Sequence, residues 1–149
     1  MRISTKGQYA LEAVLDLAHH SKDSLESLKN IAQRLDKSKN YLEQLFVQLR
    51  KAGVVESVRG AQGGYRLAKK PEEITAGDVV RPVEGSLQPV YCLEDPSSCT
   101  ICMKGHICPT MDLWRKVGEE IEMVLDQITI QDLLVCYEQT VGLELEYYI

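Results

Sequence analysis

The stretch from Leu25 to Leu67 leaves few architectures open. Leu28, Ile31, Ala32 and Leu35 recur at helical spacing, which predicts a helix from about Leu25 to Leu35. Asp36-Lys37-Ser38 breaks it, and Ser38 is a good N-cap for a further helix that runs to about Ala52, where Gly53 supplies the stop. Two short helices joined by so tight a turn form a helix-turn-helix, although many small helical hairpins share that spacing. The next fourteen residues or so narrow the choice. Val54 to Arg59 reads as a strand, Gly60-Ala61-Gln62-Gly63-Gly64 as a tight loop, and Tyr65-Arg66-Leu67 as the returning strand. A hairpin directly after a helix-turn-helix is a wing. A phosphate-binding loop is excluded, because that motif needs Gly-Lys-Ser/Thr opening a helix and here a strand comes next.

The flanks read as helical. Thr5 with Gln8 makes a capping box ahead of Tyr9, Ala10, Ala13, Val14, Leu17 and Ala18, and this helix fades around His19-His20-Ser21. The paired histidines read as an exposed helix end. Thr75 with Asp78 caps a short helix interrupted near Pro82, and residues 85–108 read as a loop. Thr110 and Asp112 open a longer helix whose stripe of Trp114, Val117, Ile121, Val124, Leu125 and Ile128 is too apolar for solvent. That stripe is expected to bury against a second copy of the chain. Thr129 with Asp132 caps a last helix to about Tyr137, in which Cys136 is expected to be a buried hydrophobe. The alternation of Leu143, Leu145, Tyr147 and Ile149 with Glu144, Glu146 and Tyr148 suggests a short terminal strand. The fold class is therefore mainly α with a small β hairpin. Residues 1–84 form a winged helix-turn-helix domain, 85–109 a cysteine-rich loop, and 110–149 a dimerisation helix with a C-terminal segment.

Charge is distributed unevenly. The chain of 149 residues carries a net −5, yet residues 1–70 hold 13 Lys/Arg against 7 Asp/Glu, a net of +6. Residues 71–149 hold 4 against 15, a net of −11. A basic half on an acidic half is expected when one half meets a polyanion. No run approaches the roughly 18 apolar residues of a membrane span, and the first residues lack a secretory apolar run, so a cytoplasmic location is expected.

The third helix can be read face by face. Leu42, Leu45, Phe46 and Leu49 should pack inward, leaving Asn40, Gln44, Val47 and Lys51 opposite, with Lys39, Glu43 and Gln48 flanking. The N-terminal part of such a helix lies in the major groove of DNA. Lys39, Asn40, Glu43 and Gln44 are thus candidate base readers, and the capping Ser38 starts the same surface. Asn and Gln suit adenine, Lys suits guanine, and Glu accepts from cytosine. Arg59 at the wing suits the narrow minor groove of A·T-rich DNA. No second cofactor motif or acid–base pair marks an enzyme.

Four of the five cysteines, Cys92, Cys99, Cys102 and Cys108, fall within 17 residues. In a reducing compartment such a cluster reads as metal-binding or redox-active rather than as a disulfide scaffold. Four thiolates can hold an iron–sulfur cluster or a closed tetrahedral zinc, and the Cys99-x-x-Cys102 pair is also a zinc or thiol-switch spacing.

Residues 1–10, Tyr41-Leu-Glu-Gln-Leu-Phe46, Leu49-Arg-Lys-Ala-Gly53, Val58-Arg-Gly-Ala-Gln-Gly-Gly-Tyr65, Ile74-Thr-Ala-Gly-Asp78 and Leu113-Trp114 closely resemble the bacterial winged-helix regulators typified by IscR, NsrR and CymR. The resemblance implies a homodimeric transcription factor, with Tyr41, Glu43, Gln44, Arg59 and Gly60 at pseudo-palindromic double-stranded DNA. It implies cluster ligands at Cys92, Cys99 and Cys108. The fourth, histidine position is Met111 here, a weak replacement, which leaves Cys102 or His106 to complete the set, Cys102 being favoured. An iron–sulfur cluster, [2Fe–2S] ahead of [4Fe–4S], is therefore the leading expectation, with repression of iron–sulfur or cysteine metabolism genes. Zinc, a thiol switch and a CymR-like repressor without a cluster, partnered by a cysteine-biosynthesis enzyme, are the alternatives.

Overall fold

The computed structural model describes residues 3–22, 24–95, 97 and 108–148. Helix α1 (Thr5–His20) packs its Ala10, Ala13, Val14 and Leu17 face inward. Its cap is Ser4 rather than Thr5: the Ser4 hydroxyl accepts the Lys6 amide at 3.2 Å. The reciprocal partner is not Gln8 but Glu84, distant in sequence, whose Oε1 accepts from the Ser4 hydroxyl at 2.6 Å and from the Gly7 amide at 2.9 Å.

Helix α2 (Leu28–Leu35) begins three residues later than expected, because Ser27 is its cap and Glu26 is engaged in β pairing. Asp36 ends it in the left-handed region at φ 52°, a conformation Asp tolerates. Ser38 caps α3 (Lys39–Lys51), accepting the Tyr41 amide, and Gly53 comes after it with φ 78°. Strands β1 (Val55–Val58) and β2 (Gly64–Leu67) pair antiparallel, Ser57 opposite Tyr65. The expected hairpin is thus present.

After a 3-10 turn at Pro71–Glu73 comes α4 (Ala76–Glu84), with the Thr75–Asp78 capping box in place. Pro82 does not interrupt it. The helix needs to run only two residues further, and the Gly85 amide closes it on the Arg81 carbonyl at 3.0 Å. The region read as loop contains a short helix, α5 (Tyr91–Glu94). Next is helix α6 (Met111–Gln127), with Thr110 at its cap position but no capping bond from the hydroxyl, which lies 3.4 Å from Cys108 Sγ.

Helix α7 (Ile130–Tyr148) is opened by the reciprocal Thr129–Asp132 bonds. It runs to Tyr148, so the terminal strand is not formed. Residues 143–148 instead continue the helix, which satisfies their backbone within one element, and Ile149 lies outside the described residues. Cys136 is exposed, contrary to expectation, because α7 turns Ile130, Leu133 and Leu134 inward and Cys136 away from them.

One core joins both ends of the chain. Phe46, Leu42, Leu49, Val14, Ile31 and Val79 are fully buried, and Ile130 of α7 shares their cluster. The Ala76 amide bonds the Ile128 carbonyl and the Ile130 amide the Ile74 carbonyl, both at 2.8 Å, stitching the α6–α7 junction to the start of α4. Among the described residues no helix is long and apolar enough to cross a membrane.

Candidate nucleic-acid interface

Helix α3 divides as its sequence requires. Leu42, Leu45, Phe46 and Leu49 are buried, while Lys39, Asn40, Glu43, Gln44 and Val47 are exposed. Lys39 Nζ lies 3.7 Å from Glu43 Oε1 one turn on. An exposed pair of this kind is worth little in water, so either side chain is free to turn to a base. Tyr41 behaves differently. It is half-buried, its ring meets Tyr9 edge-on at 6.0 Å, and Lys37 Nζ sits 4.0 Å above the Tyr9 ring. Its hydroxyl is buried with no hydrogen-bond partner among the described residues.

The wing stands beside this helix. Gly60 adopts φ 119°, which an L side chain rarely tolerates, and a Cβ on Gly63 would collide with the Val58 carbonyl. These glycines turn the loop tightly enough to present Arg59, which is exposed. Between α3 and the hairpin lies an open groove lined by Lys29, Lys39, Glu43, Arg50, Arg59 and Gly60. Ser38 caps the helix at the same end. Sequence reading missed Lys29 and Arg50. Arg50 sits seven residues after Glu43, and that two-turn spacing is the signal that places it on the same side. Its Nη1 donates to Ser57 Oγ of β1 at 3.3 Å.

A polar cluster that sequence reading did not anticipate anchors the hairpin. Glu26 exchanges both backbone bonds with Tyr65, at 2.9 and 2.7 Å, adding a one-residue third strand to β2. Its buried carboxylate accepts from the Ser27 amide at 2.8 Å, Asn30 Nδ2 at 2.9 Å and Arg34 Nη2 at 3.0 Å. Burial alone would raise the Glu26 pKa; the bonds from Asn30, Ser27 and Arg34 outweigh it, and the net shift is downward. Arg34 also grips Asp16 of α1 through Nε and Nη2, at 2.6 to 3.0 Å. Its own pKa is raised, chiefly by the bond to Asp16.

Helix α6 stands apart from the core. Gly118 is its only buried residue among those described, and Leu113 and Val124 are 55% and 52% exposed. Val117, Ile121, Val124 and Leu125 line an apolar trough with Leu113 and Ile3. Trp114 and Ile128 of the expected stripe lie outside that lining, each 37% exposed. The opposite face meets residues 88–93. Gln88 and Pro89 press close to Gly118, where a Cβ would meet Gln88 Oε1 at 2.6 Å, and Leu93 of α5 borders the same face. Arg81 of α4 clamps this helix, donating to Glu122 at 2.7 Å and to Asp126 at 2.6 Å.

Cys92, on α5, and Cys108 are both half-buried. Cys99, Cys102 and His106 lie outside the described residues, and Met111 is the half-buried first residue of α6. Among the described residues no three His, Cys, Asp or Glu side chains converge as a metal site.

A helix-turn-helix with a basic wing, carried on a core that leaves one long amphipathic helix uncovered, defines a winged-helix DNA-binding protein. The chain belongs to the Rrf2 family, described as iron-dependent transcriptional regulators, whose model matches residues 3–135. It is 43% identical to the HTH-type transcriptional regulator CymR of Bacillus subtilis over 133 residues, covering 89% of both chains. It is 42% identical to the regulator IscR of Aliivibrio salmonicida, over 91% of this chain and 78% of that one. The solved structure of T. potens IscR superposes with a TM-score of 0.75 at 45% identity, covering 94% of this chain and 90% of the other. The chain is thus a DNA-binding transcriptional regulator and not an enzyme.

Proposed function

We propose that the protein is a homodimeric cytoplasmic repressor that reads a pseudo-palindromic operator and answers to an iron–sulfur cluster. The observation that carries the DNA reading is the groove between α3 and the wing, where Lys29, Lys39, Arg50 and Arg59 face a single carboxylate, Glu43. Lys39, Asn40, Glu43 and Gln44 meet base edges in the major groove, with Ser38 and Tyr41 setting the start of the helix. Arg59 and Gly60 enter the minor groove. The exposed trough on α6 pairs with its counterpart in a second copy through Val117, Ile121 and Val124, with Trp114 and Ile128 at its margins. That spaces two reading helices about one DNA turn, or a multiple of it, apart.

The donor chemistry suits the cluster. Cys92, Cys99, Cys102 and Cys108 are soft thiolate donors, four being the usual complement. When bound, a cluster supplies redox and oxygen sensitivity to the segment that holds it. The chain's own residues carry the consequence: α5 rests on the back of α6, and Arg81 fastens that helix to α4 of the DNA-binding head. A change in how the cysteine segment is held thus reaches the head through α6, provided the two arrangements differ in free energy. The likeness to B. subtilis CymR, described as the global cysteine regulator of that organism, favours a second reading, a cysteine-metabolism repressor without a cluster.

Anaerobic purification with metal and sulfide analysis separates these readings. The expected protein is brown and holds iron and sulfide; Cys92→Ala, Cys99→Ala and Cys108→Ala each bleach it. Retained colour in Cys102→Ala moves the fourth ligand to His106 or Met111. A colourless protein with stoichiometric zinc sinks the iron–sulfur reading, and one without metal favours the second.

A further inference from the structure

The wing must stand at a fixed height beside α3 if Arg59 and the major-groove readers are to engage one duplex together. Two-stranded hairpins are marginal by themselves, so something must hold this one. Glu26 does so through both of its ends. Its backbone is paired to Tyr65 of β2, a pairing that requires Gly64, where a Cβ would lie 2.6 Å from the Glu26 carbonyl oxygen. Its carboxylate is held by Arg34 of α2, and Arg34 by Asp16 of α1. The Glu26 and Asp16 side chains are only 11% and 9% exposed. One guanidinium therefore joins two poorly hydrated carboxylates from two different elements, a task that needs the planar fork of arginine and that a point-charge ammonium performs badly. Tyr65 meanwhile packs edge-on against Phe46 of α3 at 4.9 Å, so the bridge reaches the recognition helix as well.

We propose that Arg34, with Glu26 and Asp16, is a positioning residue for minor-groove readout. It sets where Arg59 stands relative to α3, and with it the preference of the protein for A·T pairs under the wing. This role rests on the reading of the wing as a minor-groove element.

The test uses the full-length protein and an operator duplex selected from randomised DNA by the wild type. Variants of that duplex carry A·T or G·C at the pairs whose preference Arg59→Ala abolishes. Arg34→Lys should cut the A·T preference about fivefold, equivalent to ~1 kcal/mol, while discrimination at the Gln44-dependent pair stays intact. The Tyr65 amide should exchange with solvent faster. Arg34→Lys combined with Arg59→Ala should lose no more A·T preference than Arg59→Ala alone. Asn30→Ala, which removes one bond to Glu26 from an exposed position, should act in the same direction more weakly. An unchanged A·T preference in Arg34→Lys overturns the proposal, as does an equal loss of both discriminations, which would signal general loosening. If the wild type shows no A·T preference at all, the wing reading itself fails, and the positioning role with it.

Discussion

The DNA-reading head and the long helix α6 are built on opposite plans. In the head, apolar faces from α1, α2, α3 and α4 close on one another, and Phe46, Leu17, Ile31 and Leu42 are fully buried. Helix α6 has a comparable apolar stripe, yet the side-chain bonds that tie it to α4 are ionic, Arg81 with Glu122 and Asp126. Its apolar side is left open. The same periodicity thus serves two ends: a stripe whose partners lie in its own chain becomes core, and one whose partners do not stays exposed, the face we propose to pair with a second copy.

The sharpest way to break that contrast is to remove one large side chain from each part. Phe46→Ala should cost about 3–5 kcal/mol, from lost burial and the cavity left behind, at every protein concentration. Denaturant melts over a range of concentrations check this. Ile121→Glu should instead leave the head folded and yield monomers by light scattering. Operator affinity should then fall by roughly 10²–10³-fold, since the second half-site no longer adds its avidity. An Ile121→Glu protein that remains dimeric would show that the trough is not the dimer interface.

Within the head the two reading elements can be told apart. Arg59→Ala should weaken binding most where the minor groove is narrow, and Gln44→Ala should relax specificity at one base pair, each by roughly 1–3 kcal/mol. Salt-dependent gel shifts on specific and random duplexes measure both. Equal losses on the two kinds of DNA would reduce both side chains to phosphate contacts.

The sequence showed most clearly what is local. The Thr75–Asp78 and Thr129–Asp132 boxes, the Ser38 cap and the inward face of α3 depend on residues three or four apart, and all stand as read. The errors lie where a distant residue decides. Glu84 completes the α1 cap from across the fold, which Gln8 at the right spacing could not reveal. Glu26 looked like the first turn of α2, but its pairing with Tyr65 pulls it into the sheet. Cys136 sits on an apolar-looking helix whose inward face is set by the position of α1 and the 3-10 turn at Pro71–Glu73, which periodicity does not give. The charges of the candidate interface on α3 and the hairpin are exposed and local to those two elements, so sequence spacing could single them out, whereas Lys29 stands on α2 and meets the same groove only in the fold.

The smallest effect concerns acid, and it acts on the wing anchor. The Glu26 carboxyl in the folded protein is held below its ordinary value of 4.5, so the folded state binds that proton less readily than the unfolded chain. Its contribution is fully present above about pH 4.5 and is lost as pH falls through the lowered folded value. Acid should therefore loosen the hairpin anchor through Glu26 as the pH drops below this point. Thermal melts between pH 6 and pH 3 should fall more steeply for the wild type than for Glu26→Gln, whose side chain does not titrate. Parallel curves for the two proteins would mean that the anchor carries no acid-linked stability and that Glu26 holds the wing by shape alone.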